Sequence, residues 1–261
     1  MLKKSMVSII LLAIVIPLII IGGKPFALLI GVASIFVAKE LTDLYKIPNI
    51  VKFIIFLSLI SIVYSNFDAS TLAFGLNYRV LGGVLLALNL PIIFFQVEGK
   101  YTTKDAFEIL GFVFLVGLGL NFLILIRNLS LQYFLLMLAI PLITDSFAFI
   151  SGMLIGKHKA TKLSPNKSWE GYIIGSLMGT FIMTVYYTLV IGKQTNLLVV
   201  IGLILLLTIV AQLGDLFFSA IKRQWSIKDF SNLIPKHGGV IDRIDSIVFV
   251  ALLFIMILSY L

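Results

Sequence analysis

The chain contains no cysteine. Disulfides, thiol nucleophiles and sulfur-ligated zinc or iron–sulfur centres are therefore excluded. Its two histidines, His158 and His237, are too few to support a zinc site. Charge is equally scarce: Asp, Glu, Lys and Arg make up 12% of the 261 residues, against roughly 25% in a soluble domain. That scarcity excludes an ordinary soluble domain and a disordered chain. No Gly-x-x-x-x-Gly-Lys-Ser/Thr loop is present, so P-loop nucleotide chemistry is out. No internal repeat and no inverted-repeat symmetry of the transporter kind is visible.

What remains is apolar: 60% of residues are hydrophobic and the mean hydropathy is +1.13. The expectation is an all-α, polytopic membrane helix bundle. A spanning helix needs about 20 mostly apolar residues. Nine runs qualify: Ser5 to Gly23, then about 25–38, 53–67, 80–97, 109–126, 131–155, 171–192, 194–221 and 246–261. The first follows Lys3 and Lys4 like a signal peptide, yet it ends Ile-Ile-Ile-Gly-Gly-Lys with no small-x-small cleavage site, so it reads as a retained helix. The second and third runs are short, and Lys39 and Lys52 could snorkel to extend them.

Charge parity orients the spans. With the N-terminus inside, only Lys24, Arg79, Arg127 and Lys193 of the 20 basic residues fall outside, leaving 16 inside. Positive loops stay in the cytoplasm, so the net charge of +8 reads as a topology signal and not as a nucleic-acid surface. The C-terminus then lies outside. Dropping the second and third runs together would keep the parity with seven spans. The chain divides into residues 1–130, N-terminal transmembrane helices, and 131–261, catalytic transmembrane helices carrying the inner loops 156–170 and 222–245, within one integral membrane unit of the cytoplasmic membrane.

Acids then appear where lipid should be. Asp145 interrupts Ile-Thr-Asp-Ser-Phe and Asp215 interrupts Gln-Leu-Gly-Asp-Leu-Phe-Phe. An ionisable group in a span costs at least about 2.5–3.5 kcal/mol and points to a functional site. A carboxylate paired with a lysine for packing alone is the plainer alternative. Ser219 and Lys222 follow Asp215 at i+4 and i+7, on one helical face, and Arg223 stands at the membrane exit. Further on, Gly238 and Gly239 permit positive φ and close approach to a ligand. Asp242 and Asp245 share a face at the start of the last helix, at its positive dipole end. In the other inner loop, Ser164-Pro165-Asn166-Lys167 is a turn that presents Lys167 beside Ser168. Lys157, Lys159 and Trp169 read equally well as interfacial anchors. Carboxylates suit a divalent cation, and lysine and arginine suit phosphate oxygens. Together these residues look like a metal-assisted phosphoryl-type site at the inner membrane face, acting on a lipid and fed by a soluble anionic nucleotide.

The stretch from Ser219 to Asp245 carries Ser219, Lys222-Arg223, Lys228-Asp229 and His237-Gly-Gly-x-x-Asp242-Arg243-x-Asp245 at fixed spacings. In this it closely resembles the signature of the CDP-diacylglycerol synthases, or phosphatidate cytidylyltransferases. The Asp145 segment and Lys162-x-Ser-Pro-x-Lys167-Ser168-Trp-Glu-Gly are similar to further segments of that family. Lys236 departs from the glycine that many members carry after the proline. The resemblance implies that CTP and phosphatidic acid give CDP-diacylglycerol and pyrophosphate. It also implies Mg2+, K+ as a second ion, a multi-pass fold in the bilayer and a homodimer. On that pattern Asp215 and Asp242 hold the metal, with Asp145 and Asp245 as further ligands or just behind them. Asp215, Asp242, Asp245 and Lys222 form the catalytic group. Lys167, Ser168, Ser219, Arg223, Lys228, His237, Gly238, Gly239 and Arg243 bind substrate. Two rivals stay open: a CTP-dependent polyprenol or phytol kinase, and an ion-coupled transporter using Asp145 and Asp215. The phosphatidyl-alcohol transferase motif Asp-Gly-x-x-Ala-Arg is absent.

Overall fold

A computed structural model describes residues 13–65, 77–161, 163–192, 195–233 and 238–261. Among these residues the fold is all-α. Residues 13–21 are helical. They are followed by α1 (Gly23–Asp43), α2 (Asn49–Val63), α3 (Tyr78–Asn89), the single turn α4 (Ile92–Phe95), α5 (Thr103–Leu129), α6 (Leu131–Ile155), α7 (Trp169–Tyr186), α8 (Leu197–Gln224) and α9 (Ile241–Ile257). A π-helical turn, Tyr187–Ile191, prolongs α7.

The helix starts are written in the sequence. Asn77, Ser130, Ser168 and Asn196 are N-caps whose side-chain oxygens accept from N–H groups two or three residues on, satisfying donors that the first turn leaves without partners. Pro48 stands at the cap of α2, where its missing N–H costs nothing. Among the described residues each apolar run coincides with a helix; the part of the first run before residue 13, residues 66 and 67 of the third and residue 194 of the eighth lie outside them. Among the described residues six helical stretches are long and apolar enough to cross a membrane: Gly23–Asp43, Tyr78–Phe95, Thr103–Leu129, Leu131–Ile155, Trp169–Ile191 and Leu197–Gln224. The second run therefore grows into a 21-residue helix, whereas the third remains a 15-residue one. At 1.5 Å per residue α2 spans about 22 Å, short of a hydrocarbon core of about 30 Å. Large side chains such as Leu154, Leu189 and Leu198 stand about three-quarters exposed. Water would not tolerate that much open apolar surface, whereas lipid does.

The chain forms two compact units, Met1–Leu129 with Asp229–Ile241, and Ser130–Lys228 with Asp242–Leu261. In the first, buried polar groups close off backbone ends. Asn121 of α5 donates to the Val63 carbonyl at the end of α2 (2.9 Å), and Tyr101 donates to the Leu88 carbonyl (2.8 Å). Tyr64 donates to the Ala27 carbonyl, and Gly31 makes room for its ring. Arg127 donates to the carbonyls of Ile19 and Ile20.

In the second unit, packing depends on small residues. Gly171, Gly175 and Gly179 form a stripe along α7 at helical spacing. A Cβ on any of them would stand 2.5–2.8 Å from Ala148 or Thr144 of α6. The two backbones thus approach as closely as small-residue stripes allow in a bilayer, where apolar burial alone does not drive helices together. Gly214 does the same for α8 and α9, because a Cβ there would meet Phe249 at 2.8 Å. Gln212 of α8 donates to the Tyr172 carbonyl (3.0 Å) and to Ser176 (3.1 Å) of α7. These close approaches put Asp145, one turn from Ala148, and Asp215, next to Gly214, on walls that can meet.

Candidate active site

A cavity of about 490 Å³ in the second unit is lined by Asp145, Lys167, Ser168, Asp215, Asp242 and Asp245, six of the residues singled out in the sequence. They come from four separate places: the middle of α6, the loop before α7, the second half of α8 and the first turn of α9. Ser164, Asn166, Tyr172 and Ser246 also line it.

The loop that carries Lys167 is held at several points. Lys167 N–H donates to the Ser164 carbonyl (3.1 Å), closing the Ser-Pro-Asn-Lys turn. The Lys167 carbonyl accepts from Ala160 N–H (2.9 Å), and His158 accepts at its carbonyl from Trp169 N–H (3.0 Å). His158 Nδ1 lies 2.6 Å from Glu170 Oε1. Ser168 Oγ accepts from Gly171 N–H (3.1 Å), so its hydroxyl caps α7 while its side chain borders the cavity. Lys157 and Lys159 point to solvent.

Lys167 is half-buried, its ammonium paired with the Asp215 carboxylate and 5.4 Å from the Tyr172 ring centre. Loss of water pushes this ammonium below the ordinary lysine range, and the nearby charges of Asp145 and Asp245 partly oppose the shift. Lys222 donates to Asp242 at 3.0 Å, with side chains only 13% and 4% exposed. Removing one member of so buried a pair costs stability. The near Asp245 oxygen accepts from Ser246 N–H at 2.7 Å. The Tyr172 hydroxyl is buried and has no hydrogen-bond partner among the described residues. A buried donor beside an anionic-ligand site is the kind of group a ligand satisfies.

The remaining candidates stand elsewhere. Ser219 lies a turn beyond Asp215 on α8 and does not line the cavity. Arg223 is exposed and reaches the carbonyls of Ile227 (3.3 Å) and, weakly, Leu163 (3.4 Å). Lys228 and Arg243 are exposed and do not line the cavity either. His237 lies outside the described residues. Gly238, with φ +82°, and Gly239 belong to the first unit. The close approach that Gly239 permits is that of the Glu40 carboxylate. Glu40 was not singled out because it reads as one more flanking charge beside Lys39. Tyr172 was passed over because it sits inside an apolar run.

The donor set suits magnesium, which takes hard oxygen ligands and often needs only one or two carboxylates beside substrate phosphates. Among the described residues no three acidic or histidine side chains are gathered tightly enough to hold an ion by themselves. Asp215 and Asp242 are instead each occupied by a lysine. The arrangement brings four carboxylates, Lys167 and Tyr172 to one cavity, while Lys222 does not line it and reaches it only through its pair with Asp242. Such a set can bind phosphates and a divalent ion.

The chain matches the cytidylyltransferase family over residues 2–261. It is similar to a phosphatidate cytidylyltransferase of Staphylococcus aureus strain COL, 30% identical over 251 residues and 95% of each chain. The enzyme of the same name from Staphylococcus haemolyticus is 30% identical over 250 residues, and that from Staphylococcus saprophyticus 29% over 255, again over 95% of each chain.

Proposed function

Because the chain belongs to the cytidylyltransferase family, we propose that it transfers CMP from CTP to phosphatidic acid, giving CDP-diacylglycerol and pyrophosphate. The observation that carries this reading is the cavity, in which Asp145, Asp215, Asp242 and Asp245 face Lys167. A phosphatidate oxygen attacks the α-phosphorus of CTP. The bond from that phosphorus to the bridging oxygen breaks, and pyrophosphate leaves with its electron pair. Both reactants are anionic, so the site must suppress their repulsion.

Lys167 and Lys222 are the cations for this task. Each now neutralises a carboxylate, and each can move to a phosphate oxygen when the nucleotide enters. That exchange frees Asp215 and Asp242, the residues that would hold magnesium, with Asp145 and Asp245 beside them. The ion supplies charge neutralisation and in-line orientation when bound. Tyr172 donates its hydroxyl to a phosphate oxygen. The phosphate monoester is already ionised at neutral pH, so the attacking group needs no strong base. The lipid keeps its tails among the exposed apolar side chains of α6 and α7, while CTP arrives from the side of the 156–168 loop.

That loop lies on the cytoplasmic face in the orientation favoured by the distribution of lysine and arginine. With no native cysteine, Lys157→Cys tests the orientation: an impermeant thiol reagent should label it in inverted vesicles and not in intact cells. Labelling from outside intact cells would reverse the topology. The reaction is tested with purified protein, CTP and magnesium, by following pyrophosphate release. Release should require phosphatidic acid, and release of equal rate with diacylglycerol in its place would reject the substrate.

A further inference from the structure

Glu40, near the end of α1, is only 3% exposed. A carboxylate so removed from water is costly unless its oxygens are bonded. Oε1 accepts from Ser231 Oγ (2.7 Å) and from Val240 N–H (2.8 Å), and Oε2 accepts from Ile241 N–H (2.9 Å). Gly239 makes the approach possible, because a Cβ there would lie 2.5 Å from Oε1. Gly238 turns the chain with a positive φ that disfavours other residues. Phe230 packs edge-on against Phe112 of α5, with ring centres 6.2 Å apart, which anchors the Ser231 side of the same segment.

Ile241 is the first residue of α9, and Asp242 is the next. The first N–H groups of a helix need acceptors, normally from a side chain immediately before it. Here the acceptor comes from 201 residues away and brings a full negative charge to the positive end of the helix. A carboxylate is the group that fits. Glutamine in its place would turn an NH2 toward one of the two backbone N–H groups and leave that donor buried without a partner.

We propose that Glu40 is a positioning residue for the transfer reaction: its carboxylate clamps the Gly239–Ile241 backbone and thereby fixes the start of α9, from which Asp242 and Asp245 enter the cavity. The role rests on the cytidylyl-transfer reading of that cavity. Glu40 does not line the cavity, so it acts through the backbone that it holds.

The test compares wild type, Glu40→Gln and Ser231→Ala in full-length protein, by steady-state CMP transfer and by backbone hydrogen exchange of the ligand-free protein. Glu40→Gln should speed exchange only in peptides covering residues 238–246. Its kcat should fall about tenfold or more, as displacement of a reacting group by a fraction of an ångström to 1 Å does. Its KM for phosphatidic acid should stay within about twofold, because the lipid-binding surface is untouched. Ser231→Ala keeps both backbone bonds and should lose no more than about threefold in kcat. Unchanged exchange in 238–246 overturns the clamp. Faster exchange there with wild-type kcat overturns the positioning role, and so does loosening spread equally through α2 and α5. Should Glu40→Gln fail to accumulate, Glu40→Asp keeps the charge but falls short by a methylene. A reduced kcat at unchanged lipid KM supports the proposal, and a wild-type kcat overturns it. If wild type itself transfers no CMP, the reaction reading fails, and the exchange measurement still decides whether the clamp exists.

Discussion

The two compact units use buried polar side chains in opposite ways. In the unit of Met1–Leu129 and Asp229–Ile241, the Asn121 amide N–H, the Tyr101 and Tyr64 hydroxyls and the Glu40 carboxylate each bond to backbone groups, so these groups are tied into the fold. In the unit of Ser130–Lys228 and Asp242–Leu261, Asp145, Asp215, Asp242 and Asp245 open onto a cavity, and Asp215 and Asp242 are each paired with a lysine. A backbone partner cannot be exchanged without unfolding, whereas a lysine partner can move to an arriving phosphate. The comparison separates polar groups that build the bundle from those held ready for a ligand.

Asp215→Asn and Asp242→Asn press hardest on that distinction. Each should lower turnover by about a thousandfold or more, since several kcal/mol of transition-state charge stabilisation goes with a metal-binding carboxylate. Asp215→Asn should still elute as wild type in detergent, whereas Asp242→Asn, which removes a buried charge partner of Lys222, should also lower the midpoint of thermal inactivation. Near-wild-type turnover by Asp242→Asn would move this acid into the structural class.

Lys167→Ala comes next. It should raise the KM for CTP and cut kcat/KM about 10- to 100-fold, whereas Lys157→Ala and Lys159→Ala, both solvent-facing, should stay within about twofold. Equal small effects at all three positions would reduce the loop to a topology signal. Tyr172→Phe deletes only the unsatisfied hydroxyl and should cost about three- to tenfold in kcat/KM. Unchanged kinetics would mean that no phosphate meets this group. Asn121→Ala should leave kcat unaltered and lower the midpoint of thermal inactivation, because the Val63 carbonyl loses its partner at a cost of about 1–3 kcal/mol. An activity defect at unchanged stability would blur the line between the units.

Much of this was legible from the residues alone. Apolar runs locate the helices among the described residues, although the third yields one too short to span, and Asn77, Ser130, Ser168 and Asn196 mark four of the starts. Asp145 and Asp215 stand out because ionised groups are costly inside a span, and the Ser-Pro-Asn-Lys turn is visible in its residue types. Other features depend on tertiary approach. The stripe of Gly171, Gly175 and Gly179 acquires meaning only once Thr144 and Ala148 lie against it. Arg223, exposed and bonded to loop carbonyls, shows that a signature residue need not line the cavity. Glu40 is the clearest case: its role depends on a partner at Ile241, a separation over which local periodicity carries no information.

The central claim is that the attack falls on the α-phosphorus of CTP and that the acceptor is an anionic lipid. Purified protein incubated with magnesium, phosphatidic acid and CTP labelled at either the α- or the γ-phosphate tests this directly. The account predicts α-label in a chloroform-soluble product and γ-label in pyrophosphate, with no transfer when phosphatidic acid is omitted. Appearance of γ-label in the lipid, with α-label leaving as CDP, would contradict it and assign the chain to phosphoryl transfer instead.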